Sequence, residues 1–513
     1  MELLANLWMG FGIAISPVNL LFLFIGAVVG MIVGVFPGLG PSAGIAILLP
    51  ITFGMDTTQA VVMLAAIYYA AMYGGTLTSI LLNVPGESAT VAATFDGYPL
   101  AKQGRAGPAL VMQAVASFAG GTVGVVMISL LAPLFSRVAR SFGPPEFFML
   151  VLMGLLALVI MVGSSWRYGV ISGLIGFALA TVGVDLVTGA QRYTFGSAEL
   201  IGGVDFIPIA IGLFGLGEIL WSLHEGVHKS ASGTIQYRAE ENFWPSALDW
   251  IETRWTLLRG SVLGFVVGVI PGAGATIASL MAYSVEKSMS KTPEKFGHGS
   301  MPGLVAPESA NNAASAGAMI PLLTLGIPGS ASTAVLLGAF LLWGLRPGPL
   351  LMTQNPEFAW GLIASMYLGN MMLVALSIFA IPVFVAMLRV PYRVLAPVVV
   401  LLSVVGTYTV NGSIVETWLV VIAGVVGYFM KRFGYSPAVL VVALVLGPLA
   451  EDTLRQTLTI SQGSFLIFLQ RPVALTLGVI TVALVVLMLF MRRFQNSTEP
   501  DDSLAKSTTK GAS

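Results

Sequence analysis

The 513-residue sequence contains no cysteine, only 3 histidines, and charged residues at just 9% of its positions. Without cysteine there are no disulfides, iron–sulfur clusters or thiol nucleophiles. So few charges could not clothe the surface of a soluble chain of this length. With 56% hydrophobic residues and a mean hydropathy of +0.89, the chain belongs in a membrane. Lys+Arg and Asp+Glu are both 24, so the balance offers neither a basic face for nucleic acid nor an attraction for acidic partners. No GxxxxGK[ST] loop is present, which excludes ATP as an energy source used by this chain. The opening MELLANLWMG carries an acid and no basic run, so the first helices are expected to stay as anchors and not to be cleaved as a signal peptide.

What is present is apolar length. Runs long enough to cross a bilayer recur at 18–36, 59–82, 109–134, 146–163, 168–188, 206–223, 258–285, 358–386, 394–410, 415–430 and 473–491. Short of a closed barrel, only helices satisfy their backbone in lipid. The expected fold is therefore an all-α polytopic membrane protein with about twelve transmembrane or re-entrant helices.

Three collinear echoes divide the chain. GVFPGLGPS (34–42) matches GVIPGAGAT (268–276), LLNVPGESAT (81–90) matches TLGIPGSAST (324–333), and GRAGPAL (104–110) matches LRPGPLL (345–351). They imply a duplication, with a first repeat over 1–223 and a second over 258–493, expected to be inverted in the membrane. A small polar break, GSSWRYG (163–169), is a further possible partner of VNGSIVE (410–416). Between the repeats, 224–257 reads as a polar linker with Trp244, Trp250 and Trp255 suited to an interfacial helix, and 494–513 as a disordered polar tail. Lys431, Arg432, Arg492 and Arg493 beside spans favour cytoplasmic ends there.

Proline removes a helix hydrogen bond and glycine permits unusual backbone angles, so PGLGP and PGAG should unwind the chain at membrane depth. Such breaks are tolerated where protein or a water-filled cavity covers them. Freed amides at the start of the next half-helix suit an anion, and broken segments in corresponding positions of two halves point to a transporter's midplane site. On this reasoning the candidate substrate-binding residues are Gly38, Gly40 and Ser42 in the first break, Asn83 and Ser88 in the second, Gly272, Gly274 and Thr276 in the third, and Ser330 and Ser332 in the fourth. Asn311 and Asn312 join them, because paired amides are costly to bury without partners. Neutral donors of this kind can hold carboxylates without a permanent counter-charge. Close helix packing and interhelical hydrogen bonds account for the same residues without a ligand. Glu87 and Glu308, each within a break motif, are candidates for coupling a cation or proton, against a plain capping role. Asp185, Asp205 and Glu218 read as interfacial, and FDGYPLAKQGR (95–105) as an ordered surface loop.

HEGVH (224–228) matches the H-E-x-x-H zinc motif. Zinc needs a third ligand, however, the remaining histidine is the distant His298, and Gly226 weakens the helix that would align the pair. An intramembrane metalloprotease is thus a minor alternative, behind an ion or solute channel.

GVFPGLGPSAG, LNVPGES with FDGYPLAKQGRAGPAL, APESANNAASAGAMIPLLTLGIPGSAS, and GVDLVTG with GGVDFIPIAIGLFGLGE occur in order, and together they resemble the large membrane subunit of the tripartite tricarboxylate transporters, TctA type. The resemblance spans the chain except the tail and part of the linker. It implies a non-enzymatic secondary transporter of a bacterial inner membrane. The implied partners are a small membrane subunit and a periplasmic solute-binding protein that delivers citrate or a related carboxylate. The implied site residues fall on Gly38, Gly40, Ser42, Asn83, Pro85, Gly86, Ser88, Asn311, Asn312, Pro328, Gly329 and Ser330. No resident cofactor is expected, only Na+ or H+ as a coupling ion.

Overall fold

The computed structural model describes residues 2–161, 166–185, 188–225, 243–272, 274–387, 390 and 392–498. The centre of the expected linker (226–242), the tail from 499, residues 163–165 of the polar break and 226–228 of HEGVH lie outside these described residues.

The chain is an all-α polytopic membrane protein. Among the described residues, 8 helices are long and apolar enough to cross a bilayer, and the only strands are Gly183–Val184 and Gln191–Arg192, paired antiparallel. The apolar run 258–285 is not one helix but two, Ala247–Val269 and Gly274–Met289, separated at the PGAG motif. The first run, 18–36, is the helix Pro17–Val35, and Gly40–Leu48 begins within PGLGP. Helix starts follow local chemistry. Ser16 precedes Pro17 and its hydroxyl accepts from Asn19 N at 3.4 Å, Asp56 accepts from Thr58 N at 2.9 Å, and Ser436 precedes Pro437.

One succession of elements occurs twice. Pro17–Val35, Gly40–Leu48, Thr57–Leu82, Ser88–Thr90 with Val91–Leu100, and Ala106–Ala139 are followed later by Ala247–Val269, Gly274–Met289, Met301–Gly317 with Met319–Leu325, Ala331–Leu342 and Pro356–Phe379. The packing repeats as well. Gly26, Gly30 and Gly34 press onto Met63, Ile67 and Ala71, so closely that a Cβ on Gly30 would lie 2.7 Å from the Ile67 Cα. Gly260, Gly264 and Gly268 press in the same way onto Ala306, Ala310 and Ala314. The spacing is four residues in each stripe, which keeps the three glycines on one helix face. Lipid tails are as apolar as leucine, so helices gain little from hydrophobic burial between them. Backbone-to-backbone contact through small residues is what holds such pairs together. Val398, Leu401, Val405, Ile422 and Phe429 are exposed on the outer helices.

The two sets of helices are joined by buried polar ties. Asp96 is fully buried, and its Oδ1 accepts from the backbone amides of Gly297, Gly299 and Ser300 at 2.9, 2.8 and 2.7 Å. Its Oδ2 accepts the Tyr283 hydroxyl at 3.0 Å. Arg105 donates to Asp249 at 2.6 Å, crossing between the same two regions. The stretch 95–105 is therefore largely helical and partly buried, with one left-handed residue, Gly104 (φ 77°). The small outer hairpin is pinned separately, by Arg192 and Arg455 on Asp185 and Glu451.

The glycine stripes set a steric requirement. Gly30→Leu or Gly264→Leu should cost about 3 kcal/mol or more by overpacking and abolish a monodisperse peak in size-exclusion chromatography in mild detergent. Gly12→Leu, where a Cβ meets nothing within 4 Å, should elute as the wild type does.

Candidate functional site

The prolines and glycines break the helices as their chemistry demands. Gly38 and Gly40 have φ of 92° and 44°, and Gly272 and Gly274 have 86° and 62°. These left-handed angles are ones that side-chain-bearing residues seldom adopt. The other two breaks begin with left-handed helix ends at Asn83 (φ 58°) and Gly326 (φ 71°). Each then resumes as a helix behind a residue that caps itself reciprocally, Glu87 with Thr90 and Ser330 with Thr333. Behind the breaks, Gly86 N donates to Gly75 O at 3.2 Å, and Gly272 N donates to Gly329 O at 3.0 Å.

All four breaks border one cavity of about 810 Å³. Gly38, Gly40 and Ser42 line it from the first break and Pro85, Gly86, Glu87 and Ser88 from the second. Gly272, Gly274 and Thr276 line it from the third and Ser330 and Ser332 from the fourth. Hydroxyls meet across it: Ser88 Oγ lies 2.9 Å from Thr276 Oγ1, and Tyr68 OH lies 3.4 Å from Ser330 Oγ. The remaining candidates stand elsewhere. Asn83 caps its helix with an exposed side chain and is not part of the lining. Pro328 and Gly329 are buried behind the fourth break, where Gly329 contributes its carbonyl.

Asn311, Asn312 and Glu308 are buried in the helix Met301–Gly317. Glu308 Oε2 accepts from Thr76 Oγ1 at 2.6 Å, and Oε1 accepts from Ser117 Oγ at 2.5 Å, Asn312 Nδ2 at 3.2 Å and Gln113 Nε2 at 3.3 Å. Every one of these donors is neutral. Asn312 thus belongs to the Glu308 cage. Asn311 is fully buried and neither of its amide atoms has a partner; Glu87 Oε1, Gln113 Oε1 and the Tyr69 hydroxyl also lack one. Leaving such groups unpaired costs on the order of 1–3 kcal/mol each, so they form a reserve of binding capacity next to apolar packing.

Sequence reasoning passed over Tyr68, Trp221 and the charged Glu218, Glu225 and Lys431, all of which line the cavity. Glu218 and Lys431, taken for interfacial and loop-flanking charges, form an ion pair there. Gly217 packs on Gly427, and Gly424 on Leu216, bringing the helices Gly217–Glu225 and Ile414–Arg432 close enough for the pair to meet. His224, the first residue of HEGVH, packs against the rings of Trp221 and Tyr428.

Interrupted membrane helices converging on a central polar cavity define a membrane transport protein. Residues 20–442 match the tripartite tricarboxylate transporter TctA family, and the chain belongs to that family. It is accordingly the large membrane subunit type of a tripartite tricarboxylate transporter, a system that also comprises a small membrane subunit and a periplasmic binding subunit. An uncharacterized 52.8 kDa protein in the TAR-I ttuC′ 3′ region of Agrobacterium vitis is 42% identical over 489 residues, covering 95% of this chain and 97% of that protein. A second uncharacterized protein of the same organism, in the TAR-II ttuC′ 3′ region, is 44% identical over 227 residues, 94% of its own length and 44% of this chain.

The Glu308 cage makes a stability prediction. Glu308→Ala takes a buried acceptor from four donors and leaves Thr76 without one, whereas Glu308→Gln keeps an acceptor oxygen. The alanine variant should therefore lose about 3 kcal/mol or more and melt well below the glutamine variant in a detergent thermal-shift measurement.

Proposed function

We propose that this chain is the permease through which an organic carboxylate, citrate or a related tri- or dicarboxylate, enters the cell by symport with Na+ or H+. The convergence of four backbone breaks on one cavity carries the reading. Broken helices in corresponding positions of two halves are how secondary transporters build a midplane site. The halves 1–223 and 258–493 act as repeats of opposite orientation joined by 224–257, and expose the cavity alternately to either side.

The direction of transport sets the energetics. Moving a citrate trianion into an inside-negative cell costs about 2.3 kcal/mol per charge per 100 mV, hence roughly 7 kcal/mol per 100 mV. Co-transported cations offset this. Glu308 and Glu87 are the carboxylates assigned to them. Glu308 is held by the hydroxyls of Thr76 and Ser117 and the amides of Gln113 and Asn312, and Glu87 lines the cavity with one oxygen unpartnered. Hydroxyl groups such as Thr76 and Ser117 can turn from donating a proton to offering lone pairs when a cation arrives. The substrate's own carboxylates meet the cavity hydroxyls of Ser42, Ser88, Thr276 and Ser332. The small membrane subunit and the periplasmic binding protein complete the system in a bacterial inner membrane, the binding protein delivering the substrate.

Vesicles containing the chain with its small subunit, supplied with binding protein, should accumulate labelled citrate or a C4 dicarboxylate under an imposed sodium or proton gradient and not without one. Uptake that equilibrates without accumulating would overturn symport. In the same assay Asn311→Ala should abolish uptake while the protein remains folded, and Asn83→Gly, which preserves the left-handed helix end, should keep it.

A further inference from the structure

Three of the cavity's helix starts differ in what their first amides already hold. Those after Glu87 and Ser330 are closed by their own side chains. The helix Gly40–Leu48 has no side-chain cap; its N-cap residue is Leu39. A protein carboxylate lies beside that opening: a Cβ built on Gly38 would be 3.8 Å from Glu218 Oε1. The other oxygen of Glu218 pairs with Lys431 Nζ. Both side chains are mostly buried, at 16% and 26% exposure, and both line the cavity.

We propose that Lys431 is the cationic recognition residue for a carboxylate of the transported anion, and that Glu218 is an internal carboxylate occupying its place until substrate displaces it. The proposal rests on the transport reading above and deepens it. An ammonium in a partly buried cavity needs a counter-charge at all times. Glu218 supplies one in the empty cavity, and a substrate carboxylate supplies one in the loaded cavity. Charge at the site is then balanced in both states, and the positive end of the uncapped helix adds to the preference for an anion there. Competition from Glu218 also weakens ground-state binding, which permits release.

The two members of the pair should therefore move affinity in opposite directions. With the chain purified together with its small subunit, equilibrium binding of labelled citrate and of succinate gives the dissociation constants. Lys431→Gln should weaken binding by about tenfold or more, since charge-assisted hydrogen bonds to a carboxylate are lost. Lys431→Arg should retain most of it. Glu218→Gln should tighten binding by about threefold or more, and the double variant should bind no better than Lys431→Gln. A pair that only holds two helices together would lower the folded yield of both single variants without separating their affinities. An unchanged constant or weaker binding in Glu218→Gln would overturn the assignment even if Lys431→Gln does not fold. If the wild-type complex binds neither anion nor malate, the carboxylate reading itself falls, an outcome distinct from wild-type binding with indifferent variants.

Discussion

Backbone-to-backbone contact along the two glycine stripes is the constraint from which the rest follows. Gly26, Gly30 and Gly34 on one helix, and Gly260, Gly264 and Gly268 on another, bring their partners close enough that no side chain fits between. Each stripe ends where its helix breaks, after Val35 and after Val269. The partner segments, Thr57–Leu82 and the succession Met301–Gly317 and Met319–Leu325, end in the second and fourth breaks. Fixing the depth and register of the two helix pairs thus fixes where all four interruptions lie. In lipid, where apolar burial contributes little to association, only such steric interlocking sets that register so sharply.

The polar groups are sorted by charge. Deep between the helices, Glu308 is surrounded by neutral hydroxyls and amides, and Asn370 holds Phe118 O and Thr122 Oγ1 at 2.9 Å while accepting the Tyr73 hydroxyl. Formal positive charge enters the cavity lining through Lys431, already matched by Glu218. Buried full charges are costly unless paired, so the matched pair and the neutral donors keep the cavity polar at small cost, with Glu87 and Glu225 as the further carboxylates of its lining.

Much of this was legible in the residues. PGLGP and PGAG foretold the interruptions because proline and glycine act through local backbone geometry, and apolar length foretold the helices. The matching of Asn83 with Gly326 was visible as motif similarity, but the reason for it was not: both positions are left-handed helix ends, so Asn83 serves the turn with its backbone and turns its side chain outward. The glycine stripes were also present as a four-residue spacing, hidden within apolar runs whose length drew the eye first. Lys431 and Glu218 could not be placed from sequence. A charge near a span end has the same local signature whether it faces headgroups or a cavity, and only the packing of Gly217 on Gly427 decides between them.

The carboxylate of Asp96 draws a boundary within the molecule. Gathering three amides of the 297–300 turn and the Tyr283 hydroxyl, it welds the helices Val91–Leu100, Gly274–Met289 and Met301–Gly317 into a single block, since parting them would strip four donors from one buried acid. Elsewhere along the cavity the tie is of another grade: a single hydroxyl pair, Tyr68 with Ser330, which water can replace almost in kind. Exchanging that hydroxyl pair for solvent is inexpensive, whereas parting the helices gathered at Asp96 is not.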